Sequence, residues 1–181
     1  MLRNTTTDAT MTAMLNGNDV LVLLWLAAHP GPWTFRALAQ EMKIDVAALH
    51  RSVGRLKRAK LVDSDRQLNR ANVEEFLLHG VRYVIPGNLG AEERGIPTAW
   101  GVEPLRGSLA SSGPTPVWPS PHGTFRGPTL EPVSEVAVDL AVANPAMSQW
   151  LGLVDAIRVG RARERKLASS ELSRRIWDKS A

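Results

Sequence analysis

A basic stretch in the first half of the chain contains the residues whose types and spacing best suit chemistry. Residues 43–62 read KIDVAALHRSVGRLKRAKLV and carry six basic side chains against a single acidic one. The basic residues are Lys43, Arg51, Arg55, Lys57, Arg58 and Lys60. Arginine grips phosphates and can contact the O6 and N7 atoms of guanine together. The stretch therefore predicts either contact with nucleic acid or an ordinary solvated helix face.

The apolar residues of the stretch place this charge on a helix from Val46 to about Ala59. Asp45 is positioned to cap the helix, because a short side-chain oxygen accepts from the free backbone amides of the first turn. Four apolar residues then recur at spacings of 3, 4 and 3, which is the period of one buried helical face. These residues are Val46, Leu49, Val53 and Leu56.

The arginines of this helix are predicted to lie opposite its apolar stripe. At about 100° per residue, they fall roughly 180–240° around the helix from Leu49. They are Arg51, Arg55 and Arg58. Ala47 and Gly54 lie beside them and are small enough to let the helix approach a groove closely. His50 lies at the edge of this face.

Two shorter helices are predicted before the basic one. The apolar run VLVLLWLAA at 20–28 is too short to span a bilayer and indicates a buried helix, with Asn18 or Asp19 as its cap. The sequence HPGP ends it, since a residue before proline avoids helical geometry. Thr34 is then positioned to cap the helix FRALAQEM at 35–42.

A short strand pair and a further helix are predicted after the basic helix. Leu61 and Val62 begin a strand, DSDR makes a turn, and Gln67 and Leu68 return as a second strand. Asn69 or Asn72 then caps a fourth helix, NVEEFLLHGV.

This order of elements resembles the winged helix-turn-helix of small bacterial transcription regulators of the MarR type. The resemblance covers about residues 18–78 and is carried by FRALAQEMKIDVAALHRSVGRLKRAKLV, with its Leu-Ala pair, the apolar Ile44 in the turn, and an Arg-Leu helix end before Leu-Val. One position departs from the family, which usually has glycine in a left-handed conformation where this chain has Lys60. Lysine is strained in that conformation, so we expect a differently shaped helix end.

The resemblance implies a sequence-specific transcription regulator that binds double-stranded DNA, with the helix at about 46–59 in the major groove. It also implies a homodimer, because two-fold dimers match palindromic operators. Lys57, and Arg66 at the tip of the wing, are expected to contact phosphates. The predicted DNA-contacting residues are Ala47, His50, Arg51, Gly54, Arg55, Lys57, Arg58 and Arg66.

Four regions are predicted along the chain. Residues 1–17 form a flexible arm, residues 18–85 the winged helix-turn-helix domain, residues 86–131 an irregular loop segment, and residues 132–181 a C-terminal helical region. The loop prediction rests on composition, since nine of the chain's 12 prolines lie between Pro86 and Pro132. The predicted fold is therefore mainly α, with a small β-wing.

Two features of the C-terminal region, an apolar stripe and a basic tail, each have two possible roles. The apolar stripe over 145–157 either completes the core or forms a dimer interface. It consists of Met147, Trp150, Leu151, Val154 and Ile157. The basic tail either makes a second phosphate contact or is a solvated helix. Its cations are Arg158, Arg161, Arg163, Arg165 and Lys166.

Composition and missing motifs argue against several other functions. There is no cysteine, the four histidines lack metal-ligand spacing, and no phosphate-binding or nucleophile motif is present. We therefore expect no enzyme, no cofactor, no metal and no membrane contact, and a cytoplasmic location. The net charge is +4. The main alternative function is a protein–protein interaction module, or an antitoxin-like partner, that docks through the winged helix or the C-terminal half.

Overall fold

The computed structural model describes residues 14–108 and 113–178, so most of the predicted arm over 1–17 lies outside the described residues. The helices are α1 (Gly17–Ala28), α2 (Phe35–Glu41), α3 (Val46–Arg58), α4 (Arg70–Glu75), α5 (Val81–Val84), α6 (Leu105–Ser108), α7 (Ala137–Ala143), α8 (Pro145–Val159) and α9 (Ala162–Trp177). A π-helical turn (Phe76–Gly80) joins α4 to α5. The strands are β1 (Leu89–Pro97), β2 (Val117–Pro119) and β3 (Phe125–Leu130). The prediction of a mainly α fold is confirmed at this level.

Three of the predicted helix caps are confirmed, and one is wrong. Thr34, Asp45 and Asn69 cap α2, α3 and α4 through their side-chain oxygens. Helix α1 is capped by Asn16 and not by Asn18 or Asp19. Asn16 accepts from the backbone N–H of Asp19, whose carboxylate accepts from the N–H of Asn16 at 3.0 Å. This reciprocal capping box satisfies two amides that the helix itself leaves unpaired.

Helix α3 ends in the left-handed conformation that the family usually builds with glycine. Lys60 has a φ of 58°. Its N–H bonds to the carbonyl of Lys57 at 3.0 Å, and the N–H of Leu61 bonds to the carbonyl of Leu56 at 3.0 Å. These two bonds make a Schellman motif, which satisfies the last carbonyls of the helix. The expectation of a differently shaped helix end was therefore wrong, because Lys60 adopts the left-handed conformation despite its strain.

The wing is a single β-bridge. Val62 pairs with Leu68 in antiparallel fashion, and the N–H of Asp63 bonds to the carbonyl of Gln67 at 2.9 Å. Arg66 stands in the turn between them with a φ of 66°. The small wing predicted from the short DSDR turn is confirmed.

Composition predicted that the proline-rich segment over 86–131 is irregular, but part of it forms regular strands. Strands β1, β2 and β3 form a small sheet in which β1 pairs antiparallel with both of the others. Two of its prolines, Pro97 and Pro119, are the last residues of their strands. The first six residues of β1 are all exposed. The sequence of this strand lacks the alternation of apolar and polar residues that normally marks a strand.

One continuous hydrophobic core joins the N-terminal and C-terminal helices. Helix α1 contacts both α3 and α8, and its residues from Asp19 to Leu26 are all buried. The apolar stripe over 145–157 is buried within the single chain as well. Of the two readings of that stripe, completion of the core is therefore confirmed. No helix within the described part of the chain is long and apolar enough to cross a membrane.

A buried carboxylate attaches the sheet to α8. Asp155 is fully buried and accepts three hydrogen bonds from side chains. The hydroxyl of Thr98, just after β1, donates at 2.7 Å, and the indole N–H of Trp118 in β2 donates at 2.8 Å. The guanidinium of Arg158 donates at 2.7 Å. The carboxylate thus holds two points of the sheet against one helix.

Arg158 completes this network from the other side. Its guanidinium is buried beside Asp155 and donates to three backbone carbonyls of residues that lie outside the helices and strands. They belong to Ile85 (2.9 Å), Pro86 (3.2 Å) and Glu131 (3.1 Å). Since the first two lie between α5 and β1 and the third follows β3, Arg158 ties both ends of the sheet segment to α8.

Replacement of Asp155 by Ala should destabilise the protein strongly. The guanidinium of Arg158 would stay buried without its counter-charge, which costs about 3–5 kcal/mol. Urea unfolding followed by circular dichroism measures the change. Asp139→Ala is the matched control, because Asp139 pairs with Lys43 at 3.6 Å in a largely exposed position, and it should have little effect. Equal unfolding midpoints for the two variants would contradict this role of Asp155.

Candidate nucleic-acid interface

The outward face of α3 presents most of the residues predicted from the sequence. Ala47, His50, Arg51 and Arg58 are exposed there, and Gly54 is half-buried. The apolar stripe predicted for the opposite side packs inward at Leu49, Val53 and Leu56. Val46 is the exception, with 40% of its surface exposed at the first turn.

Gly54 occupies open space in the middle of α3. A Cβ atom built at this position would meet only the Nη1 atom of Arg58, at 3.9 Å. Glycine in a helix interior costs roughly 0.5–1 kcal/mol relative to alanine. The described part of the chain therefore offers no packing reason for glycine at this position.

Arg55 does not join the outward face, so the prediction that it lies beside Arg51 and Arg58 on that face is wrong. Its Nε and Nη2 groups donate to the carboxylate of Asp19 at 2.7 Å and 2.8 Å. Asp19 is fully buried at the start of α1, and only 11% of the Arg55 side chain is exposed. The hydrogen bond to Asp19 raises the pKa of Arg55, so the guanidinium stays charged. The helical projection placed Arg55 away from Leu49 but took no account of α1, which covers that flank of α3.

Lys57 of α3 reaches the wing with its side chain, and Arg66 lies in the wing turn. The ammonium of Lys57 donates to the carbonyl of Ser64 in the wing turn at 2.9 Å. Arg66 is exposed, with its guanidinium carbon 5.0 Å from the ring centroid of Trp33. The wing turn is thus held against α3 by one lysine and against the start of α2 by one arginine.

An aromatic stack beside α3 was not foreseen from the sequence. The ring of His50 lies flat on Phe35, with a centroid separation of 3.6 Å and an interplanar angle of 14°. Phe35 also meets Trp33 edge-on and lies 5.8 Å from the guanidinium of Arg66. The signal available in the sequence was the Trp-Thr-Phe triplet at 33–35, which puts two aromatic rings at the start of a helix.

The basic tail is only partly available for contact with a polyanion. Arg158 is buried in the Asp155 network, so it cannot contribute a second phosphate contact. Arg165 is half-buried and donates to the carbonyl of Gly160 at 2.7 Å. Arg161, Arg163 and Lys166 are exposed. Within residues 14–108 and 113–178, no group of three or more His, Asp or Glu side chains is placed to hold a metal ion.

Comparison with known families bears on residues 15–69, which match the model of the MarR family. This match covers α1 to α3 and the wing, the same elements that present the outward arginines. Residues 15–69 form a MarR-like winged helix-turn-helix domain. The matched part is under a third of the 181 residues, so the MarR-like domain leaves the sheet and the C-terminal helices unassigned. The chain matches no curated protein and no solved structure.

Replacement of Arg55 by Met should lower the stability of the MarR-like domain without touching its outward face. Asp19 would be left buried without its counter-charge, at a cost of about 3–5 kcal/mol. Arg51→Met is the matched control, because Arg51 is exposed on the same helix and its replacement should leave the unfolding midpoint nearly unchanged. Urea denaturation compares the two. Wild-type stability of Arg55→Met would show that the ion pair contributes nothing.

Proposed function

We propose that this protein is a sequence-specific, double-stranded-DNA-binding transcription regulator in which α3 enters the major groove. A MarR-family domain is typical of DNA-binding transcription regulators, and α3 is the helix of that domain that carries an exposed basic face. The observation that carries the proposal is the arrangement of Arg51 and Arg58 on the outward side of α3, with the small residues Ala47 and Gly54 beside them. An α-helix fits the major groove of B-DNA, and small residues bring its backbone close to the base edges.

The chemistry of these residues supports direct contact with bases as well as phosphates. The guanidinium of Arg51 or Arg58 can donate to the O6 and N7 atoms of one guanine or grip one phosphate. The methyl group of Ala47 suits the C5-methyl group of thymine. His50 keeps one face of its ring outward, because Phe35 covers the other.

Lys57 and Arg66 support phosphate contacts from the wing. An ammonium group has three N–H donors, so the bond from Lys57 to Ser64 leaves two of them for a phosphate. The guanidinium of Arg66 lies over the ring of Trp33 and is exposed, so its N–H groups are within reach of a phosphate. These contacts would fix the position of the domain on the duplex without reading its sequence.

We further propose that the protein acts as a homodimer on a palindromic site. Two-fold dimers place two reading helices about 34 Å apart, which matches successive major grooves. The stripe over 145–157 is buried in the core, so a dimer interface must use other surfaces. The same burial leaves the stripe unavailable to the alternative function, an interaction module or antitoxin-like partner, which would have to dock through the winged helix or other surfaces of the C-terminal half.

Replacement of both Arg51 and Arg58 by Ala should weaken DNA binding by about tenfold or more, because each arginine that reads a base contributes about 1–3 kcal/mol. Fluorescence anisotropy with random duplex DNA at two salt concentrations measures this. Wild-type affinity should fall steeply with salt, and the double variant should show a shallower dependence.

Arg106→Ala is the control for that experiment, since Arg106 is exposed but lies outside the MarR-like domain. It should bind as the wild type does. If the double variant is folded and binds duplex DNA with wild-type affinity and salt dependence, α3 is not the DNA-contacting helix.

Replacement of Gly54 by Ala should stabilise the protein and weaken its binding to DNA. The new methyl group fits the open space around α3 and favours the helix by roughly 0.5–1 kcal/mol. The same methyl group lies on the outward side of α3, where we propose that the helix backbone comes closest to the major groove of DNA. Thermal unfolding and anisotropy are measured on the same sample. Gly107→Ala is the matched control, because Gly107 is helical, has open space around it and lies outside the MarR-like domain. A gain in both stability and DNA affinity for Gly54→Ala would exclude close approach at this residue.

A further inference from the structure

We propose that two opposed arginines on the sheet, Arg94 in β1 and Arg126 in β3, form a second binding site that takes the phosphate group of a small molecule. This site is independent of α3 and of the MarR-like domain. It lies in the part of the chain that the family comparison leaves unassigned.

The distribution of charge along the chain first draws attention to this pair. Residues 87–143 contain three basic residues against six acidic ones. The three are Arg94, Arg106 and Arg126. Although Arg94 and Arg126 are 32 positions apart in the sequence, the fold brings them together, so two of the three cations of an acidic segment meet at one place.

The pairing of the strands puts both side chains on the same face of the sheet. Arg94 and Arg126 are direct partners in the antiparallel β1–β3 ladder, and both are exposed. Directly opposed residues have their Cβ atoms about 4.5–5.5 Å apart, and like charges at such positions destabilise a sheet. An anion bound between the two side chains would reverse that repulsion.

No carboxylate in the described residues neutralises the pair. Neither guanidinium has a carboxylate oxygen within 4.0 Å. The hydrogen bond that Arg126 makes is a long one, from Nη2 to the carbonyl of Glu92 at 3.4 Å. Most of the N–H donors of both groups therefore face solvent and are available to a ligand.

The backbone around the pair holds its two members in register. A glycine follows each arginine, at Gly95 and Gly127. A Cβ atom at Gly95 would collide with the carbonyl of Trp118, and one at Gly127 would collide with the carbonyl of Thr115. The segment that contains β2 thus packs closely against both strands at these glycines, which fixes the position of the residue before each.

The donors and the surrounding charges indicate the class of ligand. Two guanidinium forks present more N–H groups than the two oxygens of a carboxylate can accept, whereas a phosphate offers three or four oxygens. Glu92 lies two positions before Arg94 in β1, so the alternation of the strand puts it on the same face as the two arginines, and it is exposed. A long polyanion lying along this face would meet the carboxylate of Glu92, so a compact phosphorylated molecule fits the site better than a nucleic-acid backbone.

Calorimetric titration of the full chain with pyrophosphate and with ADP tests the proposal. The titrations are run at constant ionic strength against the wild type and the double variant Arg94→Gln/Arg126→Gln. We expect the wild type to bind at least one of these probes and the double variant to bind it about tenfold more weakly or worse, since each charge-assisted hydrogen bond lost weakens binding severalfold or more. Arg106→Gln, which removes the third cation of the segment, should bind as the wild type does.

Thermal unfolding provides an independent readout. The double variant should be at least as stable as the wild type without ligand, because it lacks the like-charge contact. Pyrophosphate should raise the melting temperature of the wild type and leave that of the double variant unchanged. Loss of binding in a variant that melts no earlier than the wild type cannot be attributed to unfolding.

A titration with duplex DNA tests whether the phosphate bound by the pair belongs to a small molecule or to a nucleic-acid backbone. It is titrated into Arg51→Ala/Arg58→Ala, with and without the two glutamine substitutions, so that α3 does not dominate the signal. If the glutamines change only the binding of pyrophosphate or ADP, the site takes a small phosphorylated ligand. If they weaken only the binding of DNA, the pair is a backbone contact and the small-molecule proposal is wrong. Absence of a difference between wild type and double variant with every probe would overturn the site altogether, whatever the result at α3.

Discussion

The bidentate ion pair between Asp19 and Arg55 is the interaction on which the orientation of α3 depends. Asp19 is part of the capping box of α1 and is buried, so its carboxylate has a fixed position in the core. Arg55 reaches it with two hydrogen bonds from the flank of α3. Rotation of α3 about its axis would break both bonds and leave a buried charge unpaired. The pair therefore holds Arg51 and Arg58 outward, and Arg55, one of the three arginines predicted from the sequence to contact DNA, serves to orient the other two.

A second buried pair solves a similar problem in the other half of the molecule. The sheet has few apolar residues facing the core, since the first six residues of β1 are exposed. Its attachment relies instead on directional bonds: Asp155 accepts from Thr98, and Arg158 donates to backbone carbonyls just outside the two ends of the sheet segment. Hydrogen bonds of this kind specify one arrangement where hydrophobic contact alone would allow several. The two pairs thus position the two surfaces for which we propose binding functions.

Local rules predicted the elements well, and failures occurred where distant parts of the chain meet. Helices α2 and α3 followed from apolar periodicity and from Thr34 and Asp45, because caps and periodicity act within a few residues. Strand β1 has no such local signal, and its pairing with β3 depends on contacts more than 30 residues away. The prediction that Arg55 faces outward was wrong for the same reason, since its partner Asp19 lies 36 positions upstream. The lone acidic residue ahead of the apolar run in α1 was the available hint, because a carboxylate that enters a core needs a cation.

The burial of α1 has a consequence for how the chain folds. Within residues 15–69, α1 has α3 on one side, but its other side packs against α8, which lies some 120 positions further along the chain. A fragment that ends at the limit of the family match would leave that side of an almost wholly apolar helix in water. The MarR-like unit is therefore defined by sequence similarity and not by folding autonomy. On a ribosome, α1 emerges long before α8, so its hydrophobic surface is covered only when α8 has been synthesised, and the protein should fold and unfold as one cooperative body.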